Sequence, residues 1–370
     1  MTRSEAFRRW RLAALVAAIA GGIASIIGAV LDPHAFFPAW LAAFSYWLSL
    51  PLGALALLLI HNMTGGEWQA VARAPLAAAA ALMPLFILAF LPILVGLRDL
   101  YPWTEAQPGA LVNHWYLNLQ FFGIRAALYF LVWNFFAFWQ LRRVAGAPRS
   151  QVLSGLGLIV LAISVTWAAI DWIMSIEPDW FSSVFGMMIG SGEFVLALAF
   201  ALVVIVAFRA VDGPADDAFR RHLANLATIL LAVDIFWAYC SFSQWLIIWE
   251  ENLTSEIPWY LERLRPFWRS TVLAVIFLNL TVPLFALVWT PAKRRPGLVR
   301  NVSIALLIGG VLQSWWLILP HFHGDTDLTW QAPATMIALG GVWLWLFLWR
   351  LERGRWFAAP GGAALTGAKS

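Results

Sequence analysis

The sequence predicts an all-α polytopic membrane protein of about ten transmembrane helices, eight of them in two four-helix bundles and two peripheral. Three observations lead there. Hydrophobic residues make up 62% of the 370 positions and charged residues 12%, a balance too apolar for a soluble fold. Apolar runs of about 20 residues recur along the whole chain, the length that crosses a bilayer as a helix, without the short alternating segments of a β-barrel. Nineteen of the 24 Lys and Arg residues fall in one set of alternate inter-span segments, four in the other, and Arg125 within a span. Such a bias marks the cytoplasmic side, so both termini are expected in the cytoplasm of a bacterial inner membrane.

The first apolar run, Leu12 to Leu31, follows a basic start and could be taken for a secretory signal. It is long enough to span and ends without a small-x-small cleavage pattern, so it reads as a retained helix. The ten spans are expected at roughly 11–31, 39–61, 75–97, 117–140, 152–174, 181–208, 224–249, 270–290, 301–320 and 330–350. Pro84 and Pro92 in the third span and Pro283 in the eighth predict kinks. Two long outer loops, 98–116 and 250–269, take equivalent places if residues 38–174 and 181–320 form parallel repeats. Arg125 and Asn279 then fall at matching depths. A single transmembrane domain covers 1–350, and 351–370 form a short cytoplasmic tail.

The strongest functional signal is the hairpin WAAIDWIMSIEPDWFSSVFGMMIGSGEF, residues 167–194. Asp171 and Glu193 lie inside its apolar runs, where an uncompensated charge is costly and faces a partner, a bundle interior or water. Pro178 breaks the chain between them, with Trp180 and Phe181 expected to seat the turn at the membrane surface. Gly186 and Gly190, four apart, are expected to admit a close helix neighbour. Arg125 lies roughly 12 Å below the outer surface and Asp171 slightly nearer to it, on consecutive antiparallel helices, so a pair is sterically reasonable. That pair reads equally well as helix glue or as function. Glu193 and Asp234 fall roughly 15–18 Å from their helix starts, near the midplane on consecutive helices. Two acids at one depth cannot neutralise each other, so at least one is expected to be protonated or served by water, as in a proton relay. Ser241 and Gln244 follow Asp234 at helical spacing and continue the polar stripe outward. Asn279, Gln313 and Ser314 add uncharged polarity at similar depth.

His61 lies at the inner end of the second span, and His321 and His323 at the outer end of the ninth, where hydrogen-bonded interfacial roles are expected. No histidine pair faces across span centres, and Cys240 is the single cysteine. Neither b-type haem, covalent haem nor an iron–sulfur cluster is therefore expected on this chain, nor a metal, a catalytic residue or a disulfide. The 24 tryptophans read as interface belts and packing. Nothing points to nucleic acid, because the basic residues sort by loop.

Four stretches carry a family likeness: YLNLQFFGIRAALYFLVW (116–133), LYPW (100–103), MSIEPDWFSSVFG (174–186) and YCSFSQWLIIWEENLTSEIPWYLERL (239–264). They resemble the ActF subunits of bacterial alternative complex III, which belong with the NrfD-like membrane subunits of polysulfide reductases. His61 in HNMTGGEW fits the same pattern, and the likeness runs from about residue 55 to 320. The sequence departs from it at Asp179, where the family has His, and at Glu250–Glu251, where it has Tyr–Ala. The resemblance implies ten helices in two bundles and a quinol:cytochrome c, or high-potential iron–sulfur protein, oxidoreductase. It also implies partner subunits: a paralogous NrfD-like subunit, where quinol is expected to bind, a multihaem cytochrome c and an iron–sulfur protein carrying the redox centres. Within such a complex this chain is expected to be a redox-inactive subunit with a docking surface and a proton path. Arg125, Asp171, Glu193, Asp234, Ser241, Gln244 and His61 are the candidates for that path. The rival readings are a secondary transporter and a purely structural scaffold.

Overall fold

The computed structural model describes residues 3–66, 68, 71–105, 115–144, 150–213, 215–323 and 328–353. It is an all-α membrane protein: about 86% of it is helical, with no strand among the described residues. The first half contains α1 (Arg3–Leu31), α2 (Pro33–Thr64), α3 (Arg73–Ala80), α4 (Leu85–Ala89), α5 (Leu91–Val95), α6 (Leu97–Leu100), α7 (Leu119–Val144) and α8 (Gln151–Trp172). The second contains α9 (Phe185–Asp212), α10 (Asp217–Glu251), α11 (Ile257–Arg263), α12 (Pro266–Ile276), α13 (Val282–Leu287) and α14 (Thr290–Lys293). The chain then continues through α15 (Pro296–Ile318), α16 (Pro320–His323) and α17 (Gln331–Arg353). Among the described residues, 9 helices are long and apolar enough to cross a membrane, or up to 10 when Arg73–Ala80 and Leu85–Val95 count as one bent span. The inner loop around Gly146, the middle of the 98–116 loop and the tail from residue 354 lie outside the described residues.

Local chemistry sets the helix boundaries. Asp32 caps α2 by accepting from the Ala35 N–H at 3.2 Å, and Pro33 opens the helix where its missing N–H costs nothing. Ser150 caps α8 and Asp216 caps α10, accepting from the N–H groups of Leu153 and Phe219. The α10 helix ends at Asn252, whose φ of 50° is left-handed. Two of the expected kinks are visible. Pro84 sits in the turn between α3 and α4, where the span bends by 45°. Pro283 follows a π-helical turn, Phe277–Thr281, between α12 and α13. These irregular helices do not correspond across the expected repeats: the counterpart of the bent third span, second in its bundle, is α10, which is continuous for 35 residues.

Helix α2 is the central post, with 83% of its apolar window buried inside the chain. It packs on α3, α7 and α8 on one side and on α9, α15 and α17 on the other. Helix α9 in turn packs on α8, α10 and α15, and α12 and α13 close the second group against α15. The α2–α9 contact is very close, because a Cβ on Gly53 would overlap the backbone carbonyl of Glu193. Helices α1 and α17 form an outer pair, crossing where Gly21 meets the Ala338 backbone and Gly341 meets that of Ala18. Gly186 does abut a neighbour, Thr166 of α8, as its spacing predicts. Gly190 corrects the expectation, since a Cβ there meets only Val165 at an ordinary 3.7 Å.

Candidate functional site: three buried acids and an outer ion-pair cluster

Near the outer end of the first group, Arg125 of α7 and Asp171 of α8 form a bidentate ion pair. The Nε and Nη2 groups of Arg125 donate to Asp171 Oδ2 and Oδ1 at 2.8 and 2.9 Å. The Tyr129 hydroxyl adds a third donor at 2.7 Å, and Nη1 of Arg125 donates to the Tyr116 carbonyl at 2.9 Å. The Tyr116 ring also lies 3.9 Å from the guanidinium carbon. Burial, and after it the Asp171 charge, hold the Tyr116 hydroxyl above the ordinary tyrosine range. Around the pair stand Phe90, Phe122, Phe130, Trp133 and Trp172 in mutual ring contact, so the charges are desolvated and mutually satisfied.

Asp234 of α10 has the opposite environment. It is 0% exposed, and neither carboxyl oxygen has a hydrogen-bond partner among the described residues. Other buried polar atoms of the same group also lack one there, including Oδ1 of Asn279, on the π turn, Oγ of Ser303, on α15, and Nε1 of Trp237, on α10 itself. Asn279 is pressed against α15, where a Cβ on Gly309 would collide with its side-chain oxygen. Six residues before Asp234, about 9 Å along the helix, the Thr228 hydroxyl accepts from Lys293 Nζ at 3.1 Å. Ten residues after it, about 15 Å, Gln244 is 2% exposed. Its Oε1 accepts from the Ser182 hydroxyl at 3.2 Å and its amide donates to the Tyr260 hydroxyl at 3.5 Å. Burial, the largest influence, pushes the Tyr260 hydroxyl up to about 12. Trp237 and Cys240 fill the buried face between Asp234 and Gln244, so this polar file is interrupted. The Ser241 hydroxyl is spent on its own helix, donating to the Trp237 carbonyl at 2.9 Å.

Glu193 does not share a site with Asp234, although the sequence places them at one depth. No hydrogen bond or ion pair joins them among the described residues. Glu193 borders a cavity of about 60 Å³ between α2, α9 and α15, and another of about 440 Å³ walled by α2, α8, α9 and α10. Asp234 lines neither; its neighbours Val233 and Phe236 do. His61 lies at the inner end of α2, edge-on to Trp68 with ring centres 5.2 Å apart, and next to Asn62, which donates to Gln140 at 2.6 Å. It is remote in sequence and side-chain contact from the three acids.

One cluster escaped the sequence reading. Arg263 of α11, 2% exposed, donates through Nη2 to Glu177 Oε1 at 2.7 Å and to the Leu317 carbonyl at 2.8 Å. Its Nη1 donates to the Trp259 carbonyl at 2.9 Å, and its guanidinium lies 3.7 Å from the Trp259 ring centre. Burial lowers the Arg263 pKa, and the Glu177 charge opposes that shift. Trp180 stacks on Trp259 with centres 4.3 Å apart, which corrects its expected place at the membrane surface: it is 4% exposed, whereas Phe181 is 70% exposed. The EPDWFSS and EIPWYLERL stretches thus meet in space. Oxygens of Glu177 and Glu262 and a His321 nitrogen lie within 4.8 Å of one another, a spacing a metal ion could use. Arg263 already neutralises Glu177, which leaves little net negative charge for one. His321 is half-buried, its Nδ1 4.0 Å from Glu177 and 3.8 Å from Glu262.

The sequence matches no family model and no curated relative.

Proposed function

We propose that this chain is a redox-inactive membrane subunit of a quinol-oxidising electron-transfer complex of the alternative complex III type. It would sit in a bacterial inner membrane with both termini in the cytoplasm, beside a paralogous NrfD-like subunit. Haems and iron–sulfur clusters would reside in a multihaem cytochrome c and an iron–sulfur protein, and quinol would bind at the neighbouring subunit or the outer surface. The motifs at 100–103, 116–133, 174–186 and 239–264 support the assignment, and the Arg263–Glu177 cluster offers a rigid outer face for docking.

Within that role, the second helical group provides a proton path with Asp234 as its central carrier. The observation that carries this is the Asp234 carboxyl, fully buried and without a partner on either oxygen among the described residues. A buried polar group left bare costs about 1–3 kcal/mol, more when charged, and such a cost persists where the group has work to do. In this reading the Lys293–Thr228 pair would serve Asp234 from one side and Gln244 from the other, past the interruption at Trp237 and Cys240. Arg125 and Asp171, each satisfied by the other, serve as a structural clamp in this reading rather than as carriers.

The test is Asp234→Asn in the native complex, which keeps the side chain's size and removes the exchangeable acid. The complex should assemble with its haem content intact, while quinol-driven turnover or the proton-to-electron ratio falls. Full yield with normal turnover and an unchanged ratio would leave Asp234 structural and favour the scaffold.

A further inference from the structure

The smaller cavity bordered by Glu193 has a chemistry of its own. It lies where α2 meets α9 and α15, and glycine contacts fix both walls. Gly53 brings α2 onto the Glu193 backbone, and a Cβ on Gly310 would overlap Leu196. Its polar lining comprises Ser45, Tyr46, Ser49, Glu193, Gln313 and Ser314. Three of these hydroxyls have already committed their protons. Ser49 donates to the Tyr46 carbonyl at 2.6 Å, Ser314 to the Val311 carbonyl at 2.8 Å and Tyr46 to the Leu307 carbonyl at 3.2 Å. Each therefore offers only oxygen lone pairs to anything further. Glu193, Gln313 and Ser45 make no hydrogen bond among the described residues. The chamber is thus rich in acceptors, holds one carboxyl group and has few donors.

Among the described residues no Lys, Arg, His or Asp lines this cavity or the larger one next to it, and Tyr46 is the one other titratable group in the two linings. No countercharge among the described residues pairs with the carboxyl. The volume of about 60 Å³ exceeds the 10–15 Å³ or so that one water needs. A cluster of oxygen acceptors around one carboxylate, with room for a small guest, is the donor set of a hard monovalent cation.

We propose that the chamber between α2, α9 and α15 binds a small monovalent cation, either hydronium or sodium, with Glu193 as its charged ligand and Gln313 and Ser45 as neutral ones. The site is separate from Asp234 and does not depend on the partner complex proposed above.

The larger cavity supplies the means of testing it. About 440 Å³ in volume and lined by apolar groups such as Phe194, Phe236 and Met187, it gives a lipid-soluble reagent access to Glu193. The full chain, purified in detergent, is treated with dicyclohexylcarbodiimide, whose C=N bond takes up the O–H of a protonated carboxyl. Peptide mass spectrometry then reads the adduct at Glu193, with Glu193→Gln as the blank. The adduct should fade as pH rises. Gln313→Leu should move the midpoint of that fade by about one pH unit, the worth of one hydrogen bond to a charged group. Protection by sodium but not by equal potassium assigns sodium; protection by neither assigns hydronium. Infrared difference spectra of the native chain against Glu193→Gln supply a readout that needs no reagent access, as a Glu193 carboxyl band that responds to pH or sodium. The proposal is overturned if adduct and band are both indifferent to pH and sodium. It is equally overturned if Gln313→Leu and Ser45→Ala, each monodisperse and folded, leave both signals unchanged. A negative Asp234→Asn result bears on the proton path alone and leaves this test intact.

Discussion

The Arg125–Asp171 pair gives the clearest quantitative test of how this protein tolerates charge in the membrane. The two side chains are 8% and 0% exposed and share two hydrogen bonds, with Tyr129 adding a third to the carboxylate. Removing one member of such a buried pair leaves the other charge uncompensated, at about 3–5 kcal/mol. Arg125→Leu strips Asp171 of all but the Tyr129 bond, and Asp171→Leu leaves Arg125 with the Tyr116 carbonyl and ring. Each single variant should lose stability in that range. The double variant removes both charges from an aromatic shell that accepts leucine well, so it should lie within about 2 kcal/mol of the native chain. The coupling energy is then about 4 kcal/mol or more, far above the 0.5 kcal/mol or so expected of independent sites. Denaturant titration of the purified chain measures it, with Trp133 and Trp172 beside the pair as fluorescent reporters. Additive losses, or single variants each costing under about 1 kcal/mol, would refute the clamp reading.

Three other predictions are simpler. Gly341→Leu or Gly21→Leu should prise α17 from α1, because even a Cβ there overlaps the facing backbone; limited proteolysis of α1, intact in the native chain, reads the separation. Asp216 caps α10, and its pKa is held below the ordinary value of 3.8 first by the Phe219 N–H and, among the nearby cations, by Arg209. A depressed carboxylate pKa contributes stability that is present above the unfolded value and lost as pH falls through the folded one, so Asp216→Ala should weaken the chain near neutral pH and match it only in strong acid. Thermal unfolding across pH checks the sign. Reporter fusions at Gly146, Gly213 and Gly297 should report cytoplasm, and those at Gln107 and Thr254 the opposite side; reversal at two sites would sink the charge-bias topology.

The fold was legible because the bilayer demands it. Long apolar runs leave a chain few options besides helices, and prolines 84 and 283 marked where two of those helices deform. Arg125 and Asp171 were legible as neighbours because two antiparallel helices joined in sequence share depth and proximity. Depth alone could not place Glu193 and Asp234. It fixes height along each helix, but the angle around the axis decides which neighbour a side chain meets, and that angle depends on how α9 is seated. Gly53 sets the seating from a helix more than a hundred residues away. Glu177 and Arg263 were harder still. Both lie in loops rich in charge, where a solvated residue is the ordinary expectation, and they are 86 residues apart. The signal that could have found them was the aromatic content flanking each, Trp180 beside one and Trp259 beside the other. A loop bound for water has little use for stacked indoles.

The three acids together show why burial alone does not assign a role. Asp171 is fully enclosed and receives three strong donors, so changing its charge would break contacts on two helices. Asp234 is enclosed to the same degree and receives none, so its contacts with the described side chains present no obstacle to a change of state. Glu193 lacks a donor among the described residues as well, but it borders open volume where the hydroxyls of Tyr46, Ser49 and Ser314 have turned their protons away. What separates a clamp from a carrier and from a cation ligand is the supply of donors and of space. In this protein Arg125 and Tyr129 supply the donors of the first acid, no described side chain supplies one to the second, and Gly53 and Gly310 set the space beside the third. Substituting these neighbours should therefore change what each acid does as surely as substituting the acid, and Gly53→Ala is the sharpest case. Its methyl group would force α2 off the Glu193 carbonyl and alter the volume on which the proposed cation site depends, without removing any polar group.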